Sequence, residues 1–255
     1  MADETKIKIG LIGAAGRMGK AIQEAAAQQV EVNLLGGIGS QGAVFGDYKN
    51  STSLAEASDV LIDFSAFKAL NTNVEAALQY KKPIVIGTTG LSDEDHQFIQ
   101  RAAKHIPVIV AANTSLGVNM LAALVEQAAA KLGSDWDIEI VEMHHRHKKD
   151  APSGTALLLG RAAAEGRGEK LEDIADLQRC PATEPRKTGS IGFASLRGGS
   201  VAGDHMVVFA NEGERIELGH RAESRIIFAR GALKAALWLT HQSAGLYQMK
   251  DVLGL

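Results

Sequence analysis

Along its first half the chain alternates short apolar runs with stretches of helical spacing. Lys6–Ile12, Val32–Leu35, Val60–Phe64, Pro83–Gly87 and Pro107–Ala111 read as strands. Between them Arg17–Gln29 has Ala-rich helical character, and further helical segments fall near 69–80 and 92–104. Strands alternating with helices in this way imply a parallel sheet covered on both faces.

After Asn113 the pattern changes. Val118–Leu132 reads as a long Ala-rich helix, Ile138–Met143 as a strand, and Gly154 to about Glu165 as a second helix. A charged stretch and a loop around 180–190 follow. Ile191–Leu196, His205–Ala210 and Glu214–Glu223 then have the look of antiparallel strands joined by Gly-rich turns at Gly198-Gly199 and Glu212-Gly213. Phe228–Thr240 returns to Ala/Leu-rich helix and is expected to pack back on the first half. The expected fold class is α/β, with an N-terminal Rossmann-type parallel-sheet domain (1–113 with 226–255) and a C-terminal α+β domain (114–225).

Three turns at the ends of expected strands suggest a dinucleotide. Gly13-Ala14-Ala15-Gly16-Arg17-Met18-Gly19 follows the first strand and opens a helix, where backbone amides can receive a pyrophosphate. Its spacing departs from G-x-G-x-x-G, and a structural turn is the alternative. Gly87-Thr88-Thr89-Gly90 and Ala111-Ala112-Asn113-Thr114-Ser115 fall at the carboxyl ends of later strands, where open α/β sheets bind ligands. Each alone is compatible with ordinary turn chemistry. The second strand closes in Gly36-Gly37-Ile38-Gly39-Ser40, without the carboxylate that usually holds an adenine ribose. A 2′-phosphate meets no repulsion there, so the cofactor expected is NADPH or NADH with a slight lean to NADPH.

Residues 144–155, His-His-Arg-His-Lys-Lys-Asp-Ala-Pro-Ser-Gly-Thr, carry the densest chemistry. Three imidazoles, a guanidinium and two amines precede a helix start, a natural anion site. Crowded cations lower one another's pKa, which suits Lys to acid work. If the preceding strand ran on, His144 and His145 would point to opposite faces and do different jobs. Ser153 is a good N-cap, leaving the Gly154 and Thr155 amides for a carboxylate. Asp150 stands ready to orient Lys148 or His147, or to cap the helix. A metal is disfavoured because no Cys accompanies the imidazoles and Arg146 and Lys148 lie among them. A solvated basic run is the plain alternative.

Composition narrows the partners. With 45% apolar and 22% charged residues, the 255-residue chain has the make-up of an ordinary globular protein. A net charge of −3 argues against nucleic acid or an anionic membrane as partner, and no apolar stretch approaches bilayer-spanning length. The start, Met-Ala-Asp-Glu-Thr, lacks a signal-peptide pattern, and the lone Cys180, read as an incidental loop thiol, suits a reducing cytoplasm.

These motifs, in this order, resemble the 4-hydroxy-tetrahydrodipicolinate reductase (dihydrodipicolinate reductase) family. The resemblance spans nearly the whole chain through Gly13–Gly19, Asp63-Phe64-Ser65, Gly87–Gly90, Ala111–Asn119, Glu142 to Ala156 and Gly192-Phe193. It implies NAD(P)H-dependent reduction of a cyclic dicarboxylate in the diaminopimelate/lysine pathway. It also implies a second domain that binds substrate and builds a homotetramer. Carried over by position, His144 is the expected proton donor/acceptor and Lys148 the proton donor. His145, Gly154 and Thr155 are expected on the substrate carboxylates. Gly13, Ala14, Ala15, Gly16, Arg17 and Met18 are expected on the cofactor, with Gly87, Thr88, Thr89, Ala111, Ala112, Asn113 and Thr114. Thr114 departs from an aromatic common in the family, Gly39-Ser40 from an acidic-basic pair in dual-specificity members, and Phe67 from a frequent proline. A semialdehyde-type dehydrogenase would need a catalytic thiol, for which Cys180 is a poor candidate. A dinucleotide-sensing regulator would need a readout module, and no basic recognition helix is evident.

Overall fold

The structure, a computed structural model, describes residues 6–179 and 184–255; Cys180 and the first five residues lie outside them. The chain forms two compact units, one running to Leu116 and completed by Arg225–Leu255, the other Gly117–Ser224.

The first unit is built on seven strands: β1 (Ile7–Ile12), β2 (Val32–Gly39), β3 (Gly42–Phe45), β4 (Val60–Asp63), β5 (Ile84–Ile86), β6 (Pro107–Val110) and β12 (Gly245–Tyr247), in the order β12-β6-β5-β4-β1-β2-β3. All neighbours run parallel except the β2–β3 pair. Because β1 lies between β2 and β4, the strand order reverses beside it, the kind of switch point at whose carboxyl edge open α/β sheets bind ligands.

Successive strand residues serve opposite faces. Ile9, Leu11, Ile62 and Val85 pack with Ile22 of α1 (Arg17–Ala26), Leu233 of α8 (Ile226–Leu239) and Met249 of α9 (Met249–Leu253). On the other face Leu61, Ile84 and Ile86 pack with Leu54 of α2 (Ser51–Ala57), Val74 of α3 (Leu70–Gln79) and Ile99 of α4 (Asp93–Ala102). The C-terminal helix therefore does return to the first unit. One expectation fails: β2 runs on from Leu35 to Gly39. Gly36 and Gly37 extend it because the rings of Tyr48 and Phe45 occupy the space of their missing side chains, 2.3 and 2.2 Å from an ideal Cβ.

The second unit carries β7 (Asp137–His144), β8 (Ala175–Asp176), β9 (Ile191–Arg197), β10 (Gly203–Asn211) and β11 (Glu214–Ala222), in the order β11-β10-β7-β9-β8. Its helices are α5 (Leu116–Leu132), α6 (Gly154–Gly166) and the short α7 (Leu171–Ile174). Ile138, Ile140, Val207 and Phe209 bury one sheet face against Val125 of α5 and Leu159 and Ala163 of α6. β10 and β11 pair antiparallel as expected, but β9 does not: it runs parallel to β7 and β8. The stretch from β7 through α6 is a helix-bearing crossover, which brings the chain back in its original direction.

Candidate functional site

In the first unit the strand register gathers the expected cofactor turns. Ile12 pairs with Ile38 and with Asp63, Asp63 with Ile86, and Ile86 with Val110. The next residues, Gly13, Phe64, Gly87 and Ala111, therefore stand along one carboxyl edge. Each amide is tied to a neighbouring strand: Gly13 and Ala14 to the Ile38 carbonyl (both 2.9 Å), Phe64 to Ile12 (3.0 Å), Gly87 to Asp63 (2.8 Å) and Ala111 to Ile86 (2.9 Å).

Gly13 has φ +85°, and an added Cβ would lie 2.5 Å from the Phe64 carbonyl oxygen, so this turn admits only glycine. Gly16 caps α1 without a side chain, and its carbonyl first accepts from Lys20, leaving the Arg17, Met18 and Gly19 amides ahead of any intrahelical acceptor. Ala14 is buried, while Ala15, Gly16 and Arg17 are exposed and Met18 half-buried. An exposed glycine turn leading into orphaned amides fits a pyrophosphate.

The other turns divide their labour. Thr88 is buried and donates to the Ser65 carbonyl at 3.2 Å, whereas Thr89 and Ala112 are exposed. Asn113 accepts the Ser115 amide at 2.9 Å. Thr114 is buried and donates to the Phe228 carbonyl at 2.7 Å, so its hydroxyl serves the return of α8. Asp63 is fully buried and accepts from the Ser65 amide and the Asn73 side chain, fixing the turn beside Gly13. Burial pushes its carboxyl up, against the lowering effect of those two partners.

In the second unit β7 ends at His144, and alternation along β7 places Glu142 and His144 on the buried face, 1% and 8% exposed. Glu142 Oε2 lies 2.6 Å from His144 Nδ1. Arg197 donates to both Glu142 oxygens at 2.8 Å, and the Ser153 amide donates to Oε1 at 3.2 Å. Burial would raise the Glu142 carboxyl, but hydrogen bonds from Arg197, His144 and Ser195 hold it down at about 2. As an anion it only accepts, so the His144 proton sits on Nδ1 and Nε2 is the exchangeable nitrogen. Gly203 keeps space beside that nitrogen, since a Cβ there would lie 2.9 Å from it. The His205 ring meets His144 edge-on at 5.1 Å; burial, then the neighbouring His144, pushes its pKa down to about 4.

Ser153 caps α6, accepting from the Ala156 amide at 3.1 Å. Gly154 is exposed and an added methyl would meet nothing within 4 Å, so the helix front is open. Lys148 is half-buried, with Nζ 2.8 Å from Asp150 Oδ2, and the Lys148 hydrogen bond holds the Asp150 carboxyl below its ordinary range. The expected Asp150–Lys148 pairing is thus present. The His145 amide bonds the Val201 carbonyl at 2.8 Å, and its half-buried ring lies 6.3 Å from that of His147. Thr155, also half-buried, follows Gly154 in the first turn of α6.

Arg197, His205 and Gly203 were not singled out from sequence, nor was Glu142 given a role. A signal existed for Glu142: an acid two residues before His144 on an alternating strand must share its buried face. None existed for Arg197, whose place depends on the parallel pairing of β9.

Residues 7–114 match the family described as Dihydrodipicolinate reductase, N-terminus, and residues 117–253 match Dihydrodipicolinate reductase, C-terminus. A 4-hydroxy-tetrahydrodipicolinate reductase of Zymomonas mobilis subsp. mobilis is 83% identical over 255 residues, covering all of both chains. One of Parvibaculum lavamentivorans is 51% identical, covering 98% of each chain. A dipicolinate-bound dihydrodipicolinate reductase from Paenisporosarcina sp. TG-14 shares the fold at a TM-score of 0.79 and 24% identity, covering 96% of this chain and 98% of its own.

Proposed function

The chain belongs to the dihydrodipicolinate reductase family, and from that premise we propose that it reduces 4-hydroxy-tetrahydrodipicolinate to tetrahydrodipicolinate in the diaminopimelate/lysine pathway. The observation that carries this reading is the open front of α6 above Gly154, within the same run of chain as Lys148 and His144.

The second unit is the substrate-binding and oligomerisation domain. The amides of Gly154 and Thr155, with His145, receive the two carboxylates of the ring, using the positive end of α6. Lys148 donates a proton to the nitrogen side as charge develops there, and His144 assists through Nε2. Positioning and electrostatic stabilisation by these groups lower the barrier.

The first unit is the dinucleotide-binding domain. Gly13, Ala14, Ala15, Gly16, Arg17 and Met18 hold the pyrophosphate, and Gly87, Thr88, Thr89, Ala111, Ala112, Asn113 and Thr114 line the nicotinamide end. The 4-hydroxyl and a ring proton leave as water to give the conjugated dihydro ring. A reduced nicotinamide bound here would supply hydride to its conjugated carbon while the proton from Lys148 goes to the nitrogen side. NADPH is favoured over NADH because β2 closes in Gly39-Ser40 with no carboxylate to repel a 2′-phosphate.

A homotetramer is supported by the sheet face opposite the second unit's core. There Val141 pairs with Met206 and Met143 with Leu196, and Leu196 is 51% exposed. No helix among the described residues is long and apolar enough to cross a membrane, and the mild negative charge favours neither nucleic acid nor an anionic membrane as partner. A single cysteine in the chain, which suits a reducing compartment, supports a cytoplasmic location.

The test is loss of reduced-nicotinamide absorbance on mixing the protein, NADPH or NADH, and freshly generated substrate. Turnover is expected with both cofactors and faster at low NADPH. Absence of turnover with either would overturn the proposal.

A further inference from the structure

We infer that Glu142, braced by Arg197, is a positioning residue that presents His144 Nε2 for proton exchange and couples that nitrogen to the carboxylate-receiving front of α6. The inference rests on the functional reading above and assigns a role to two residues that do not themselves reach the substrate.

The geometry supplies three links. Glu142 Oε2 accepts from His144 Nδ1 at 2.6 Å, which fixes both the ring plane and the tautomer. Glu142 Oε1 accepts from the Ser153 amide at 3.2 Å, and Ser153 is the N-cap of α6. A single carboxylate therefore sets the position of the exchangeable nitrogen and of the helix front. Arg197 grips both oxygens at 2.8 Å and also donates to the Asp150 carbonyl at 2.6 Å, the residue whose side chain pairs with Lys148. One guanidinium thus braces both the carboxylate that pairs with His144 and the backbone of Asp150.

The surroundings serve the same end. A buried carboxylate needs a fixed positive partner, and the bidentate guanidinium supplies one that does not titrate. Glu142 thereby remains an acceptor at neutral pH. His205, buried against His144 and hydrogen-bonded to Ser153 at 2.9 Å, adds no second charge there at neutral pH.

The test compares the wild-type enzyme with Glu142→Gln. Nitrogen-15 NMR of the imidazoles should show His144 protonated at Nδ1 in the wild type, and protonated at Nε2 or mixed in the variant. The variant's kcat should fall on the order of 100-fold, as for loss of a proton-transfer partner, with its dinucleotide Kd within about twofold. A wild-type His144 protonated at Nε2, or a variant with wild-type kcat, would overturn the inference. Should E142Q fail to fold beside an uncompensated guanidinium, the double variant Glu142→Gln with Arg197→Met removes both charges and must show the same tautomer change and loss of kcat. Wild-type turnover is measured in parallel: its absence defeats the functional reading, whereas turnover with the wrong tautomer defeats only this inference.

Discussion

The Ser153 hydroxyl lies 2.9 Å from His205 Nε2 while accepting the Ala156 amide at 3.1 Å, so one buried side chain joins β10 to the front of α6. Replacing it removes a helix cap, worth about 1 kcal/mol, and leaves a buried imidazole nitrogen unpaired at a cost of similar size. Ser153→Ala is expected to lower the melting temperature by several degrees and to raise KM for the dicarboxylate. A thermal scan with steady-state kinetics checks both, and an unchanged Tm contradicts the arrangement.

His205 gives stability a defined pH dependence. Its folded pKa is depressed from 6.5 to about 4, so the unfolded chain binds the proton more readily between those values. The contribution is fully present above pH 6.5 and is lost as pH falls toward 4; the full shift corresponds to roughly 3 kcal/mol. Glu142, depressed from 4.5 to about 2, starts to lose its contribution as pH falls through 4.5, at the lower end of that window, and loses the rest toward pH 2. Denaturation of the wild type from pH 7 to 4 should show falling stability, with a shallower fall for His205→Gln. Parallel slopes would exclude His205 as the source.

Two glycines separate folding from binding. At Gly154 a methyl meets nothing within 4 Å, so Gly154→Ala should fold normally, with Tm unchanged or slightly raised by better helix propensity. Its methyl projects where a carboxylate is proposed to sit, so KM should rise at least several-fold. Gly13→Ala should instead lose stability and dinucleotide affinity together, since φ is +85° and the Phe64 oxygen lies 2.5 Å from the new atom. Melting and titration of both variants decide the matter; equal behaviour would refute the distinction.

Lys148→Ala should reduce kcat by about 10²–10⁴-fold, the usual worth of a general acid, with little change in cofactor affinity. Asp150→Asn should cost only a few-fold, because the Asp150 side chain is 61% exposed and its attraction for Lys148 is screened. Steady-state kinetics on the two variants test the ordering, and a larger loss for Asp150→Asn would reverse the roles.

Cofactor choice has its own probe. A Cβ at Gly39 would make ordinary contacts at 3.4 Å with Ala15 and Val44, so Gly39→Asp is sterically tolerated. The added carboxylate should raise KM for NADPH and spare or improve that for NADH. An unchanged NADPH/NADH ratio would show that the β2 end does not read the ribose.

Much of this was legible because the parallel sheet writes itself as short apolar strands followed by glycine turns. Gly13, Gly87 and Ala111 stood out at strand ends, and the register explains why they share one edge. The length of β2 was not legible: Gly36 and Gly37 resemble a turn until Phe45 and Tyr48, later in sequence, fill the space above them. The direction of β9 was also hidden, because a run such as Ile191–Leu196 has the same pattern in either orientation. Arg197 was hidden with it, since only parallel pairing with β7 sets it opposite His144. Thr114 shows the converse: its position was readable, but its hydroxyl is engaged by the Phe228 carbonyl far along the chain.

The decisive measurement is a crystal structure of the protein with NADP and pyridine-2,6-dicarboxylate. One carboxylate is expected on the amides of Gly154 and Thr155, with the Lys148 amine within hydrogen-bonding distance of the ring. Finding the compound elsewhere, or its absence at saturating concentration, would contradict the assignment of this helix front as the substrate site.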